Sequence, residues 1–449
     1  MNREKLLNGP IVKSFLMIAL PVIFANILQT VYQLIDTFWV GRLGTKAVAA
    51  VSLSFPILFF LISFALGLTI AGSILIAQYN GKGEDQKVAL ITGQTFLIVT
   101  LIAIVLSIIG YFSSGYLLSF LTKDIIVLEQ ATSYLKISFI AIIAMFIFNV
   151  FQSSYRAVGE VKIPMIIILI TVILNFFLDP LLMFGWRFIP ALGVSGVALA
   201  TLITESLAAF IGIIFLIRGS HGVKLRLKSL YPHLISIKKI LSLGLPSSLE
   251  HSSRSFGMVI MIFLVSTFGT LAIASYGIGT RILSFIIIPA IGFSIATSAL
   301  VGNNLGAKQH DRTEKIVKEG IKIGFWTLTI IGVLLFIFAK PIVTFFVPNE
   351  IDLILQSTFF IRLMALTFGF IGIQMVISGT LKAAGKAGTS MFLAMFHTVS
   401  LFVISYLLAI PFGLGELGIW IGYPTANFMA LCMAFYYYKK KTWLKKELV

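Results

Sequence analysis

Stretches of twenty or more apolar residues, broken by short clusters of charge, glycine and proline, recur along the whole of this 449-residue chain. Bounded by those clusters, the apolar runs fall at 11–40, 47–78, 89–117, 132–156, 163–186, 191–217, 238–267, 271–302, 319–339, 355–381, 389–411 and 417–438. As a helix, each is long enough to cross a hydrocarbon core about 30 Å thick. The runs are continuous rather than alternating, so they do not read as strands of a closed barrel, the other way to satisfy every peptide group in lipid. The pattern predicts an all-α integral membrane protein with twelve transmembrane helices.

Composition agrees: 58% of residues are hydrophobic, 11% are charged, and the mean hydropathy is +1.03. A soluble protein, with about 25% charged residues, has far more polar surface to offer water. The net charge of +17 sits in short segments between apolar runs, not on one continuous basic face, which argues against a nucleic-acid partner. Alternate connecting segments divide the basic residues unequally. The N-terminus, 79–88, 156–162, 218–239, 303–318, 382–388 and the C-terminus hold 24 of the 34 Lys and Arg, the opposite set 5. By the positive-inside rule both termini are expected in the cytoplasm, in a multi-pass protein of the inner (plasma) membrane. Met1 to Lys13 is short and basic and shows no small-residue cleavage site, so it reads as the start of a retained first helix. The single cysteine, Cys432, supplies neither a disulfide framework nor metal-ligand spacing.

The chain repeats itself. An offset of 225 residues places Leu20-Pro21 on Leu245-Pro246, Gly44-Thr45 on Gly269-Thr270, Gly67 on Gly292, Ser73 on Ser298 and Gly81 on Gly306. Between 14–87 and 239–312 there are 21 identities in 74 positions, about three times the chance expectation for this composition. One further residue of shift aligns Arg156-Ala157-Val158-Gly159 with Lys382-Ala383-Ala384-Gly385. A six-helix unit returns the chain to its starting side, so the two halves are expected to be parallel. A cavity between such halves, opening alternately to each face, is the usual transporter arrangement. The expected domains are an N-terminal lobe, 1–217, a basic cytoplasmic linker, 218–237, with His221 and His233, and a C-terminal lobe, 238–449.

Ionisable groups inside spans are costly and are functional candidates by default. Asp36 lies late in the outward-running first helix, Asp179 late in the outward-running fifth with Asn175 one turn before it, and Thr201 early in the inward-running sixth. All four are expected at one depth in the outer half of the first repeat. Their oxygens suit a hard cation such as Na⁺. Alternatively, repulsion and desolvation would keep a proton on one aspartate. The plainer reading makes Asp36 and Asp179 helix-end residues. Tyr32 and Gln33, one turn before Asp36, and Glu205, one turn beyond Thr201, are candidates for the substrate cavity or for packing. Pro21 marks a bend, either a fixed kink or a hinge. In the second half, Glu250 and Arg254 have the spacing of an ion pair on one helix face, with His251 between them and Arg281 in the next helix. His251 and His397 stand alone in apolar context. The abundant Phe, Met and Tyr would suit adaptable cavity walls, as they would lipid-facing or packed positions. No catalytic motif is present, so no enzyme and no resident cofactor is expected.

These stretches together resemble one family, the multidrug and toxic compound extrusion (MATE) transporters, over essentially the whole chain. The resemblance rests on Leu20-Pro21 followed by Asp36-Thr37-Phe38-Trp39-Val40-Gly41 and Gly44, on Ala77-Gln78-Tyr79-Asn80-Gly81, on Arg156-Ala157-Val158-Gly159, and on Asn175 with Leu178-Asp179-Pro180. In the second half it rests on Ala274-Ser275-Tyr276-Gly277-Ile278-Gly279 and Val301-Gly302-Asn303-Asn304-Leu305-Gly306-Ala307. It implies two six-helix lobes in a V and efflux of hydrophobic, often cationic, drugs from a monomer in the bilayer by antiport of H⁺ or Na⁺. The chain looks closest to the DinF-like branch, whose ion site in the N-terminal lobe matches Asp36, Asn175, Asp179 and Thr201 by motif position. The NorM-like branch uses acidic residues of the C-terminal lobe. Here Glu250 falls early in the matching helix, and the tenth span has Arg362 but no carboxylate. A flippase for lipid-linked oligosaccharides has a similar build, but would be expected to show more cavity cations than Arg254, Arg281 and Arg362.

Overall fold

The computed structural model describes residues 3–219, 222–444 and 448, apart from the side chain of Phe60; His221 lies outside the described residues. It is helical throughout. After a short helix α1 (Arg3–Asn8) come α2 (Ile11–Gly41), α3 (Thr45–Lys82), α4 (Asp85–Ser119), α5 (Ile125–Ala157), α6 (Lys162–Phe184) and α7 (Val194–Arg218). A 3₁₀ turn at Leu227–Leu230 precedes α8 (Leu234–Ser266), α9 (Thr270–Gly306), α10 (His310–Phe346), α11 (Ile351–Ala365), α12 (Phe368–Ala383), α13 (Ala387–Ala409) and α14 (Glu416–Lys439). Among the described residues, ten of these are long and apolar enough to cross a membrane, and α11 with α12, bent by 49°, makes an eleventh if the pair is one span. The helix α8 is 33 residues long, but its first two thirds carry Lys238, Lys239, Glu250 and Arg254 amid serines, and it falls short in hydropathy.

The tenth apolar run predicts one continuous helix over 355–381, and the structure breaks it. The chain turns at Leu366 and Thr367, where the Thr367 hydroxyl donates to the Met364 carbonyl (3.0 Å) and accepts from the Asn427 amide (2.9 Å). That hydroxyl holds backbone and side-chain partners at once, which substitutes for the helix ladder at the bend. The ninth run, 319–339, lies inside a much longer helix, α10. Its first turns bear Asp311, Arg312, Glu314 and Lys315, a polar extension that hydropathy does not register.

Two compact units emerge. One comprises Met1–Arg3 with Leu20–Ser248, the other Glu4–Ala19 with Leu249–Val449. The boundaries fall inside α2 and α8, beside Pro21 and Pro246, the prolines that the internal repeat superposes. A proline has no amide to donate, so the helix is softest there. In the first unit, buried Gln94 of α4 ties down the segment before α8. Its amide donates to the Ser229 and Tyr231 carbonyls (2.7 Å each) and its carbonyl accepts from the His233 amide (2.8 Å). At Gly67 of α3 the backbone of Ser248 comes so close that a Cβ would overlap it. In the second unit the start of the chain is anchored by the Asn304 amide on the Leu6 carbonyl (3.2 Å), by Arg312 on the Gly9 carbonyl, and by Phe15 against Phe293 (5.9 Å).

Candidate functional site

The first unit gathers polar groups from three helices. α2 supplies Tyr32 and Asp36, α6 supplies Asn175 and Asp179, and α7 supplies Thr201, Thr204 and Glu205. Tyr32 with Asp36, Asn175 with Asp179, and Thr201 with each of Thr204 and Glu205 are three or four residues apart and so lie on one helix face. Asp36 lies five residues before the end of α2, Asp179 five before the end of α6, and Thr201 seven after the start of α7. With a rise of about 1.5 Å per residue, these positions share one depth within a few ångströms.

At that level the Asp36 carboxyl stands within electrostatic reach of the Asp179 carboxyl and the Asn175 amide. The Asn175 amide donates to Asp179 Oδ1 (3.0 Å), and both Asn175 and Asp179 are wholly buried. The Tyr32 hydroxyl bonds the Thr204 hydroxyl (2.7 Å) and is in reach of Thr201. Glu205 is near enough to act electrostatically on both Tyr32 and Asp36. Four buried oxygens here meet no donor: Asp36 Oδ1, Asn175 Oδ1, Asp179 Oδ2 and Glu205 Oε2. Each such atom costs about 1–3 kcal/mol when left without a partner. A cluster with surplus acceptors and three carboxyl groups has the chemistry to accept a positive charge, either a proton or a small hard cation held by oxygens. Among the described residues no group of three or more His, Cys, Asp or Glu has metal-binding geometry. A cation here would thus draw on the amide and hydroxyl oxygens as well.

Apolar packing lies beside this cluster, toward the C-terminal ends of α2 and α6. Val40, Ala47, Met183, Val194 and Val197 form a small core, with Trp39, Leu43, Val51 and Tyr134 packed against it. The Trp39 ring lies 6.0 Å from that of Phe176 and 6.4 Å from that of Phe184. Excluding water from that side strengthens every electrostatic interaction beneath it.

Of the candidates in this half, Asp36, Asn175, Asp179, Thr201, Tyr32 and Glu205 come together, while Gln33 is exposed on α2. Thr204 and Tyr134 are additional members. Thr204 is one turn from Ala200 and three residues from Thr201, so the helix face was legible, but its bond to Tyr32 spans 172 residues. Tyr134 stands within electrostatic reach of Asp36 and Asp179, and nothing in the pattern of the fourth apolar run distinguishes it.

The second-half candidates divide differently. Glu250 is buried and its carboxylate is fully engaged: Lys382 Nζ and the Ser378 hydroxyl donate to Oε1 (3.2 Å each), and the Ser390 hydroxyl donates to Oε2 (2.8 Å). Arg254 stands 3.7 Å from the same carboxylate. This is a structural knot of α8, α12 and α13, in which every charge on Glu250 is answered. Arg281 is exposed on α9 and pairs with no carboxylate among the described residues. The His397 Nε2 shares a hydrogen with Asn427 Oδ1 (2.9 Å), and His251 Nε2 is buried without a partner.

Comparisons with known proteins agree on the family. The MatE family model matches residues 21–181 and 246–407, one copy in each half. The chain is 29% identical to the probable multidrug resistance protein YoeA of Bacillus subtilis (strain 168) over 97% of its own length and 95% of that protein's. It is 28% identical to the probable multidrug resistance protein YpnP of the same organism, over 98% and 97%. The crystal structure of a MATE in the straight conformation is similar over the whole of both chains, at a TM-score of 0.91 and 25% identity.

Proposed function

We propose that this chain, which belongs to the MatE family, exports hydrophobic and cationic drugs across the membrane by antiport, with the Asp36–Asp179 cluster as the ion-coupling site. The observation behind this reading is the buried set of unanswered oxygens on Asp36, Asn175, Asp179 and Glu205, held at one depth by three helices. The names of its relatives, probable multidrug resistance proteins, support the substrate class. In this reading α8 is a twelfth span and α11 with α12 is one, giving two six-helix lobes of the DinF-like kind with cytoplasmic termini.

The chemistry follows from charge. With Asp36 and Asp179 both ionised, two like charges face each other in a poorly solvated pocket, and a cationic group or drug is attracted. A proton on one of them lets the pair share a hydrogen bond, draws α2 toward α6, and removes the attraction that retained the drug. Pro21, fifteen residues earlier on α2, is where that helix yields most easily. The Tyr32–Thr204 bond ties α2 to α7 and makes the movement depend on α7 as well. The driving force is adequate, at about 2.3 kcal/mol per charge per 100 mV plus about 1.4 kcal/mol per pH unit.

The coupling ion is tested with purified protein in liposomes loaded with ethidium. An imposed pH gradient alone is expected to drive transport, and a Na⁺ gradient alone is expected to give less than a tenth of that rate. Transport driven only by Na⁺ would assign the cluster to that cation. Transport that ignores both gradients would end the antiport reading.

A further inference from the structure

The charge of the second unit does not balance. Glu250 is the only carboxylate in α8, α9, α12 and α13, and α14 adds only Glu416 at its first residue. Lys382 answers it at 3.2 Å, both side chains less than a tenth exposed. Arg254 is therefore a surplus cation. It lies 3.7 Å from Glu250, its side chain remains 40% accessible, and its other contact is the Met375 thioether at 3.8 Å. A guanidinium presents five N–H donors in a rigid fork, and most of these meet no acceptor among the described residues.

Depth decides what that exposure means. Arg254 is twelve residues before the end of α8, about 18 Å along the helix, deep within a hydrocarbon layer about 30 Å thick. An arginine at such depth faces water in a cavity rather than lipid tails. Besides the Glu250 carboxylate, which Lys382, Ser378 and Ser390 already engage, the polar groups near Arg254 are two imidazoles. His251, with its Nε2 buried and unpartnered, and His397 both feel the Arg254 charge. Arg281 reaches a similar depth on α9, eleven residues from its start, exposed and again unpaired with any carboxylate among the described residues.

We propose that Arg254, with His251 beside it, forms a subsite for an anionic group on an apolar body, a carboxylate, sulfonate or phosphate, so that the second unit accepts amphiphilic anions. The fork binds the oxyanion bidentately, which a lysine at the same place does only as a point charge. The His251 imidazole, in the tautomer with its proton on Nε2, adds a third donor. This deepens the export reading and rests on it for α8 being a span and for the claim that the bound molecule is carried.

Full-length protein in lipid nanodiscs is titrated with dansylglycine, which has one carboxylate, and with dansylamide, its neutral analogue, with empty nanodiscs subtracted. The wild type is expected to bind dansylglycine about tenfold more tightly than dansylamide. Arg254→Gln is expected to erase that preference, Arg254→Lys to keep about a third of it, and His251→Phe to weaken dansylglycine about threefold. Tetraphenylphosphonium binding, measured on the same samples, reports whether each variant is folded and separately tests the cationic-drug reading. No preference for dansylglycine in the wild type overturns the proposal, as does a preference unchanged in Arg254→Gln. Loss of tetraphenylphosphonium binding in the wild type counts against drug export alone.

Discussion

Replacing Glu250 by Gln removes one charge from a knot whose partners cannot leave. The carboxylate is 3% exposed and the Lys382 ammonium, 3.2 Å away, 9%. Breaking a buried pair by removing one partner costs about 3–5 kcal/mol, mostly because the remaining charge is left without compensation. Two features bring the figure toward the lower bound. The carbonyl of the introduced amide still accepts from Ser390, and Lys382 sits one residue before the end of α12, where a long side chain can swing its ammonium toward water. The expected loss for Glu250→Gln is about 3 kcal/mol, and Lys382→Met, which strands the carboxylate, loses a similar amount. The double variant restores charge balance, so its loss is expected to be smaller than the sum of the two by about 2 kcal/mol. Reversible unfolding of the purified protein in mixed micelles, followed by tryptophan fluorescence, reads all four corners of the cycle. Additive losses, or single variants within about 0.5 kcal/mol of the wild type, would refute the claim that this carboxylate is structural. Ethidium export by folded Glu250→Gln should persist, because the knot is not the coupling site.

Three further outcomes are expected. Gly67→Val forces α3 away from the Ser248 backbone and should destabilise the first unit by about 1–3 kcal/mol, measured by the same unfolding titration. Gln94→Leu removes three hydrogen bonds to the chain before α8, and hydrogen exchange at 229–236 should rise at least tenfold while the rest of α4 is unchanged. Asp124 caps α5, accepting from the amides of Ile126 (2.9 Å) and Val127 (3.2 Å) and pairing with Lys46 (3.1 Å). The Val127 amide, then the Lys46 charge, hold its carboxyl below the usual carboxylate range. Its contribution is therefore complete above the ordinary aspartate value near 3.9 and lost as pH falls through the lower folded value, so protection of the first turn of α5 should fade below about pH 4. Asp124→Ala should lack that protection at every pH.

Much of the architecture was legible because lipid leaves so few choices. An apolar run of twenty residues in lipid is satisfied as a helix, and each such run except the tenth, 355–381, overlaps a single helix in the structure. What escaped were features that hydropathy does not encode. The polar first turns of α10 continue a helix beyond the lipid, and the break at Thr367 is made by a hydroxyl bonded to Asn427, sixty residues away. The Asp36, Asn175, Asp179 and Thr201 set was legible from depth alone, since helix direction and residue count give depth. Thr204 and Tyr134 were not, because their partners are on other helices. Lys382 illustrates the limit best. Counted among the cytoplasmic cations of the segment 382–388, it is instead a buried residue of α12, matched to a glutamate 132 positions earlier. Spacing rules pair residues on one helix, and they correctly anticipated Glu250 with Arg254, yet the closer partner came from elsewhere in the chain.

The central claim is that the carboxylates of the first unit couple ion movement to export. Its most direct test is ethidium transport into the acidic interior of liposomes under an imposed pH gradient, comparing wild type with Asp36→Asn and Asp179→Asn at matched incorporation. The expected result is loss of gradient-driven transport in both variants, at least twentyfold, with ethidium binding retained within a few fold. Wild-type rates in either variant would contradict the account.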